Sequence, residues 1–249
     1  MTTAAAAKVV PFLAKLKRRE NVAEGTMAFF FERPAGFVFA AGQFIDIELQ
    51  SPVETDDEGN TRTFSISSAP QDDTIMVTTR LRDTAFKRVL KTMPLETEVK
   101  IEGPSGDLQL HKDATRTAVF LAGGIGITPF RSILLDAANK HLSHPIFLFF
   151  SNRRPQDAPF LAELQSLEKR NANYKFIATM TAPSESSRRW QGERGFIDKE
   201  MLDKHLKNAP SPIYYIAGPP VMVNALQAML QEAGIIGHND IRAEGFAGY

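Results

Sequence analysis

The sequence predicts an all-β domain, an antiparallel β-barrel, followed by an α/β domain with a parallel, doubly wound sheet. The first part of the chain contains short apolar runs at regular spacing with turn residues between them, which is typical of a closed barrel. The second part alternates apolar runs with segments of helical periodicity. This alternation implies right-handed crossovers between parallel strands. A length of 249 residues and a hydrophobic fraction of 43% allow two separate cores.

In the barrel half, we predict six strands and one helix. Each predicted strand is rich in β-branched or aromatic residues, and Gly, Pro, Asp and Ser cluster between the runs. The strands are expected at residues 9–17, 27–31, 44–49, 62–66, 75–79 and 98–102. The helix is expected at residues 85–93, where Thr84 can cap the first turn and apolar residues recur at helical spacing.

In the second half, four strands alternate with four helices. The strands are predicted at residues 118–121, 145–150, 174–179 and 213–217, and the helices at about 129–140, 158–170, 198–207 and 220–233. A polar stretch at residues 110–116 separates the two patterns. We therefore expect one domain at residues 1–112 and another at residues 113–249.

Composition excludes several classes of function. The chain has no cysteine, which rules out disulfides, thiolate metal sites, cysteine-ligated iron–sulfur clusters and a cysteine nucleophile within it. Basic and acidic residues balance at 29 each, so nothing indicates a field that binds nucleic acid. The five histidines lack metal-ligand spacing, and no metal site is predicted. No run reaches the roughly 18–20 apolar residues of a membrane span, so a cytoplasmic protein is expected.

Two glycine-containing turns are the first candidate site. Residues 123–129 follow the first strand of the α/β half and open directly into a helix. Glycines let a backbone approach phosphate closely, and amides at a helix start favour anions. Residues 218–220 repeat this arrangement after the last predicted strand. Either turn alone is equally compatible with a plain tight connection, but two turns at one sheet edge favour a bound nucleotide.

The strand at residues 62–68 is the second candidate. Strand alternation places Arg62 and Phe64 on one face, and Thr63 and Ser65 on the other. Arginine binds phosphate through two hydrogen bonds, and an aromatic ring can stack on a flat ligand. On its own, the pattern fits an ordinary barrel strand as well. The nearby run Asp56-Asp57-Glu58 is interpreted as a solvated hairpin tip.

Together these motifs resemble the ferredoxin–NADP reductase family of flavoproteins. The resemblance extends from about Val9 to Tyr249 and includes, in family order, residues 42–44, 62–68, 103–106, 123–129 and 218–220 and an aromatic C-terminus. It implies an FAD-binding barrel, an NAD(P)-binding α/β domain, and transfer of a hydride from NAD(P)H to FAD. The electrons would pass to a separate acceptor such as a ferredoxin, a flavodoxin or an oxygenase component.

The resemblance also implies roles for individual residues. In the barrel, Arg62 would pair with the FAD diphosphate, Phe64 would lie along the isoalloxazine ring, and Ser65 would offer its hydroxyl near N5. Further flavin contacts are expected from Thr63, Ser67, Ser68 and the helix start at Thr84, Ala85 and Phe86. The nicotinamide groove would be shaped by Gly123, Gly124, Gly126, Thr128, Pro129, Gly218, Pro219 and Pro220.

Some relatives have a cysteine where this chain has Ala217. Without that cysteine, hydride transfer would rely on positioning, with Ser65 and Thr128 as polar neighbours. Tyr249 or Phe246 would cover the flavin, although a last residue is otherwise usually frayed. Arg153 and Arg154 follow the second α/β strand and favour the 2′-phosphate of NADPH. NADH-using relatives also carry an arginine near this position, so NADH remains an alternative.

Two other functions remain open. A non-redox nucleotide-binding module, with a regulatory role, would bind nucleotide without flavin. An electron-transfer subunit of a multi-component complex would need a partner for activity. Subunits of that kind often carry their own cysteine cluster, which this chain lacks.

Overall fold

A computed structural model describes residues 10–235 and 240–246. It contains one six-stranded antiparallel sheet followed by one six-stranded parallel sheet with helices, so the predicted fold class is confirmed. Within these residues, no helix combines the length and hydropathy needed to cross a membrane. The division between residues 112 and 113 stays a prediction.

The first sheet closes into a barrel. Its strands are β1 (Phe12–Ala23), β2 (Thr26–Glu32), β3 (Phe44–Leu49), β4 (Thr61–Ser65), β5 (Thr74–Arg80) and β6 (Glu98–Ser105). They pair in the order β4-β3-β6-β1-β2-β5, and a bridge between Ile66 and Val77 joins the two ends. The interior is filled by inward-facing aromatic and branched side chains, including Phe29, Phe31, Ile45 and Ile47. Burial of this apolar surface is the main stabilising contribution to the barrel.

One helix, α1 (Ala85–Thr92), covers the barrel core. The Thr84 hydroxyl accepts a hydrogen bond from the Lys87 amide at 3.4 Å, which caps the first turn. Phe86, Val89 and Leu90 share one face of the helix and pack into the barrel cluster. The helical spacing in the sequence therefore predicts both the helix and its buried face.

The second sheet is parallel and doubly wound. Its strands are β7 (Ala118–Gly123), β8 (Ile146–Asn152), β9 (Tyr174–Met180), β10 (Glu193–Arg194), β11 (Ile213–Gly218) and β12 (Ile241–Gly245). The helices are α2 (Ile127–Asn139), α3 (Leu161–Ser166), α4 (Lys199–His205) and α5 (Pro220–Glu232). The strand order is β10-β9-β8-β7-β11-β12, which changes direction between β7 and β11. Alternate residues of β7 pack into two different cores, one on each face of the sheet.

Two side chains of α2 join the α/β half to the barrel half. The Ser132 hydroxyl donates a hydrogen bond to the Ser68 carbonyl at 2.6 Å, and Arg131 donates to the Ser67 carbonyl. Glu163 of α3 holds Arg131 through two hydrogen bonds of 2.6 and 2.7 Å. Since residues 67 and 68 lie two and three residues beyond the end of β4, these bonds hold the segment that follows β4 against α2.

Candidate functional site

The change of strand order places two tight turns side by side. Gly123 and Gly124 follow β7, and Pro219 follows β11. A Cβ on Gly218 would lie 3.2 Å from the Gly123 backbone, and one on Gly126 would lie 2.6 Å from the Gly218 amide nitrogen. Glycine is thus required at 126 because the β7 and β11 turns pack backbone to backbone. Ligands of open α/β sheets bind at such a crevice.

A groove of about 710 Å³ lies along this edge; we call it the sheet-edge groove. Gly123, Gly124 and Pro219 form part of its wall. Most of the remaining wall is apolar, and the polar or charged side chains on it are Arg80, Arg82, Ser151, Asn152, Arg153, Thr181 and Asp198. A mainly apolar cleft with a few convergent polar groups is typical of a small-molecule site.

Asn152 is a groove residue that the sequence motifs did not include. Its side chain is 5% exposed, and neither amide atom has a hydrogen-bond partner among the described residues. Buried polar atoms normally have partners because leaving them unpaired is unfavourable. Its position, the last residue of β8 at the carboxyl edge of the sheet, is a signal that could have identified it.

A second pocket, of about 370 Å³, lies between the barrel and the parallel sheet; we call it the barrel pocket. Phe64 and Ser65 of β4 line it together with Thr128 of α2 and Phe246. Ser65 is 6% exposed, and the Thr128 hydroxyl donates to the Ile125 carbonyl at 3.0 Å. The structure thus brings together residues that were predicted separately from the two halves of the sequence.

The sheet-edge groove and the barrel pocket adjoin. Arg80, Arg82 and Ile125 line both of them. The Arg80 guanidinium donates to the Asp157 carbonyl at 3.4 Å and would lie 3.5 Å from a Cβ on Gly124. Two ligands bound in these cavities would therefore meet at a shared boundary. The sequence motifs include neither arginine, although both lie at or just beyond the end of β5.

The far end of the barrel pocket is cationic. Arg62 and Lys87 line it, together with Thr84 at the start of α1, and Arg82 lies between this end and the groove. Glu58 is an acidic residue on the same pocket wall. Burial lowers the pKa of Lys87, and the positive charges of Arg82 and Arg62 lower it further. Like charges collected at one end of a cavity favour an anionic ligand there.

An anionic side chain of the protein contacts this cationic end. The Asp56 carboxylate lies 3.0 Å from the Arg62 guanidinium and accepts a hydrogen bond of 3.0 Å from the Ala85 amide. Partial desolvation tends to raise the pKa of Asp56, but the hydrogen bonds from Ala85 and Arg62 outweigh it and the pKa is lowered. The interpretation of residues 56–58 as a solvated hairpin tip is therefore incomplete for Asp56, which contacts two other elements. Its contacts show that the Arg62 guanidinium and the Ala85 amide at the start of α1 both reach one carboxylate, so an anion can bind between them.

Several predicted site residues lie away from both cavity walls. The Ser67 hydroxyl bonds the Met76 carbonyl and the Ser68 hydroxyl accepts from the Met76 amide, so both side chains face β5. Phe86 packs in the barrel core. The remaining predicted residues that line neither cavity are Ala85, Gly126, Pro129, Arg154, Gly218 and Pro220. Tyr249 lies outside the described residues.

The two candidate arginines differ in their surroundings. Arg153 lines the sheet-edge groove and forms an exposed ion pair of 2.6 Å with Glu185. Arg154 is held by Asp157 at 2.7 Å and approaches Glu24 of the barrel at 3.3 Å. Arg153 is thus the arginine that can contact a ligand in the groove, and Arg154 links the two domains.

Comparison with known proteins agrees with this arrangement. Residues 120–228 match the model of the oxidoreductase NAD-binding domain. The chain is 29% identical over 218 residues to the phenol hydroxylase P5 protein of Acinetobacter pittii, covering 84% of this chain and 58% of that one. It is 30% identical over 155 residues to one subunit of the Na(+)-translocating NADH-quinone reductase of Actinobacillus succinogenes, covering 61% and 37%.

A solved structure covers almost the whole chain. It is that of a ferredoxin NADP+ reductase from Neisseria gonorrhoeae with bound FAD and NADP, with a TM-score of 0.78 and 22% identity over 94% of this chain and 98% of that one. The chain therefore contains an oxidoreductase NAD-binding domain and shares the two-domain fold of this reductase. It spans only 37% and 58% of the length of the two curated relatives named above.

Proposed function

We propose that this chain is a member of the ferredoxin–NADP reductase family and transfers a hydride from NAD(P)H, bound in the sheet-edge groove, to FAD, bound in the barrel pocket. The observation that best supports this proposal is that the two cavities adjoin at Arg80, Arg82 and Ile125. When bound, FAD supplies a ring that accepts two electrons and can release them singly or as a pair. The protein mainly sets distance, orientation and electrostatics.

The residues of the barrel pocket fit FAD at both ends. Arg62, Lys87 and the amides at the start of α1 would neutralise the diphosphate. At the other end, Phe64 would contact the ring, and Phe246 would restrict its open side. Ser65 and Thr128 would present hydroxyls where the nicotinamide and flavin rings meet. The predicted flavin cover at Tyr249 stays a prediction.

We also propose that the nucleotide is NADPH and that Arg153 binds its 2′-phosphate. Arg153→Ala is expected to raise the KM for NADPH by about tenfold, because a charge-assisted hydrogen bond contributes roughly 1.5–3 kcal/mol, and to leave the KM for NADH nearly unchanged. Arg154→Ala is the matched control, since Arg154 lines neither cavity. Steady-state kinetics of both variants with both nucleotides tests this. Equal effects of Arg153→Ala on NADH and NADPH would contradict the assignment.

For the electron acceptor, we propose a separate redox protein and favour an oxygenase component. Two relatives are named after oxygenases. They are the phenol hydroxylase P5 protein and, at 26% identity to this chain, the glycine betaine monooxygenase reductase subunit of Chromohalobacter salexigens. These 249 residues contain no cysteine, so they cannot hold a cysteine-ligated cluster themselves. A ferredoxin or a flavodoxin remains the alternative acceptor. The cytoplasmic location stays a prediction.

Flavin content tests the proposed function directly. The purified chain should be yellow and release FAD on denaturation, and anaerobic NADPH or NADH should bleach its visible absorbance. A folded, flavin-free protein that still binds nucleotide would instead support the non-redox nucleotide-binding module. Bleaching that requires a second subunit would support the electron-transfer subunit.

Replacing Phe64 is expected to weaken flavin retention. Phe64→Leu should raise the dissociation constant for FAD by about three- to tenfold, because an aromatic contact contributes roughly 0.5–1.5 kcal/mol beyond area burial. Phe39→Leu is the control, since Phe39 belongs to the same barrel core and does not line the pocket. Titration of each variant with FAD measures the effect. Equal dissociation constants for the two variants would show that Phe64 does not contact the ring.

A further inference from the structure

The loop between β3 and β4 carries an acidic segment, residues 54–58, that is tied to α1 and β4; we call it the acidic loop. Glu54 accepts hydrogen bonds from Arg88 of α1 at 2.6, 3.0 and 3.2 Å. Asp56 bonds both Arg62 and the Ala85 amide, and Glu58 pairs with Arg62 at 2.8 Å. The loop is thus attached at the cationic end of the barrel pocket.

Arg62 is held by this loop and by the residues that connect the loop to β4. Its Nη1 atom donates to the carbonyls of Glu58, Gly59 and Thr61 at 2.9, 3.0 and 2.8 Å. Its Nη2 atom contacts the carboxylates of Asp56 and Glu58 at 3.0 and 2.8 Å. A guanidinium has only five N–H donors. The contacts above involve the four N–H groups of Nη1 and Nη2, so a phosphate that binds through either nitrogen has to replace contacts that are already made.

We propose that the acidic loop is a built-in competitor for the diphosphate of FAD, with Asp56 as the competing anion. The inference rests on the proposed function, because it concerns the same pocket. Asp56 holds two groups that would grip a diphosphate, the Arg62 guanidinium and the α1 amide. FAD must displace this carboxylate before both groups can bind it.

Asp56 and its binding partners belong to the same chain, so Asp56 competes with FAD at a high local concentration. A group tethered by a short segment has an effective concentration on the order of millimolar, and the Glu54–Arg88 contacts keep the segment close to α1. The apparent affinity for FAD equals the intrinsic affinity of the open pocket multiplied by the fraction of molecules in which Asp56 has released Arg62 and the α1 amide. The loop consequently makes the flavin more readily exchangeable than the cationic pocket alone would.

The ring end of the pocket is not blocked in the same way. The contacts of Glu54 and Asp56 described above are with Arg62, Ala85 and Arg88, whereas Phe64, Ser65, Thr128 and Phe246 line the other end. Riboflavin, which has the ring and ribityl chain but no phosphate, can enter that end without displacing Asp56. The competitor should therefore act on FAD and leave riboflavin unaffected.

The test compares Asp56→Asn with Asp57→Asn in the full chain after its flavin has been removed. Both substitutions remove one negative charge from the same loop, but Asp57 is exposed. Thermal unfolding without flavin checks that both variants are folded. Dissociation constants for FAD and for riboflavin come from quenching of flavin fluorescence during titration, at low and at high salt.

Asp56→Asn is expected to tighten FAD binding by about tenfold, because a competing charge-assisted contact of roughly 1.5–3 kcal/mol is weakened. Riboflavin affinity should stay within about twofold, and Asp57→Asn should resemble the unmodified chain. Unchanged or weaker FAD binding by Asp56→Asn would overturn the inference, as would an equal gain in Asp57→Asn. Failure of every variant to bind either flavin would instead refute the proposed function itself.

Discussion

Replacing Gly126 with alanine is expected to destabilise the α/β domain by at least about 3 kcal/mol, since overpacking against atoms that cannot move costs roughly 1–3 kcal/mol and occasionally more. The new Cβ would lie 2.6 Å from the Gly218 amide nitrogen and closer still to the Ala217 carbonyl. Both are backbone atoms of the β11 turn, so relief requires moving α2 away from β11. The expected loss corresponds to a fall in Tm of about 6–12 °C.

Gly245→Ala is the matched control for this prediction. Gly245 lies on β12, and the nearest atom to a Cβ there is 3.9 Å away, on Pro220. This is ordinary van der Waals contact, so we expect a change below about 1 kcal/mol, with a small gain from lower unfolded-state entropy. Thermal and urea unfolding of both variants measure the difference. Equal stability of the two would show that the turns do not pack as closely as the structure indicates.

Replacing Ser65 with alanine is expected to slow anaerobic flavin reduction by NAD(P)H by roughly 10²-fold, the typical cost of losing one placed donor at a reacting centre. Ser65 and Thr128 line the barrel pocket, from the barrel and from α2 respectively. The serine hydroxyl is proposed to act where charge changes during transfer. Since it contributes little to holding the whole dinucleotide, the FAD dissociation constant should change less than about threefold.

Ser67→Ala provides the comparison. It is the same substitution two residues further along, but the Ser67 hydroxyl bonds the Met76 carbonyl and Thr78 inside the barrel. It should cost about 1 kcal/mol of stability and leave the rate of flavin reduction unchanged. Rapid mixing under anaerobic conditions gives both rates. A similar slowing in both variants would assign the effect to barrel stability and not to the hydroxyl.

Much of the fold could be predicted because its signals are local. Apolar periodicity identified α1, α2, α4 and α5, and the alternation of strands and helices predicted the parallel sheet. Three strands that rely on pairing differ from the prediction: β1 is longer at its end, and β10 and β12 were not predicted. β10 has two residues and pairs with β9. β1 continues through Arg18 to Ala23 because it pairs with β2, and Arg18 stacks on the Phe30 ring at 3.6 Å. β12 carries arginine and glutamate, and its parallel pairing with β11 places it in the sheet.

The candidate site was only partly predictable for a related reason. Ser65, Phe64 and Thr128 belong to motifs with recognisable spacing, and the structure places them on one pocket wall. Arg80 and Asn152 belong to no motif. The position of Asn152 at the carboxyl end of β8 is a signal in the sequence, whereas the tertiary arrangement alone places Arg80 at the boundary of both cavities. Asp56 resembled solvated loop charge because its partners, Arg62 and the Ala85 amide, lie on other elements.

The central claim is that the barrel pocket and the sheet-edge groove hold two rings face to face. Anaerobic flavin reduction by NADPH or NADH carrying deuterium at only one of the two C4 positions tests it most directly. If the nicotinamide binds with one fixed face towards the flavin, deuterium at one C4 position should slow reduction by a primary isotope effect, and deuterium at the other should not. Equal rates with both labelled nucleotides, or no reduction at all, would contradict the account.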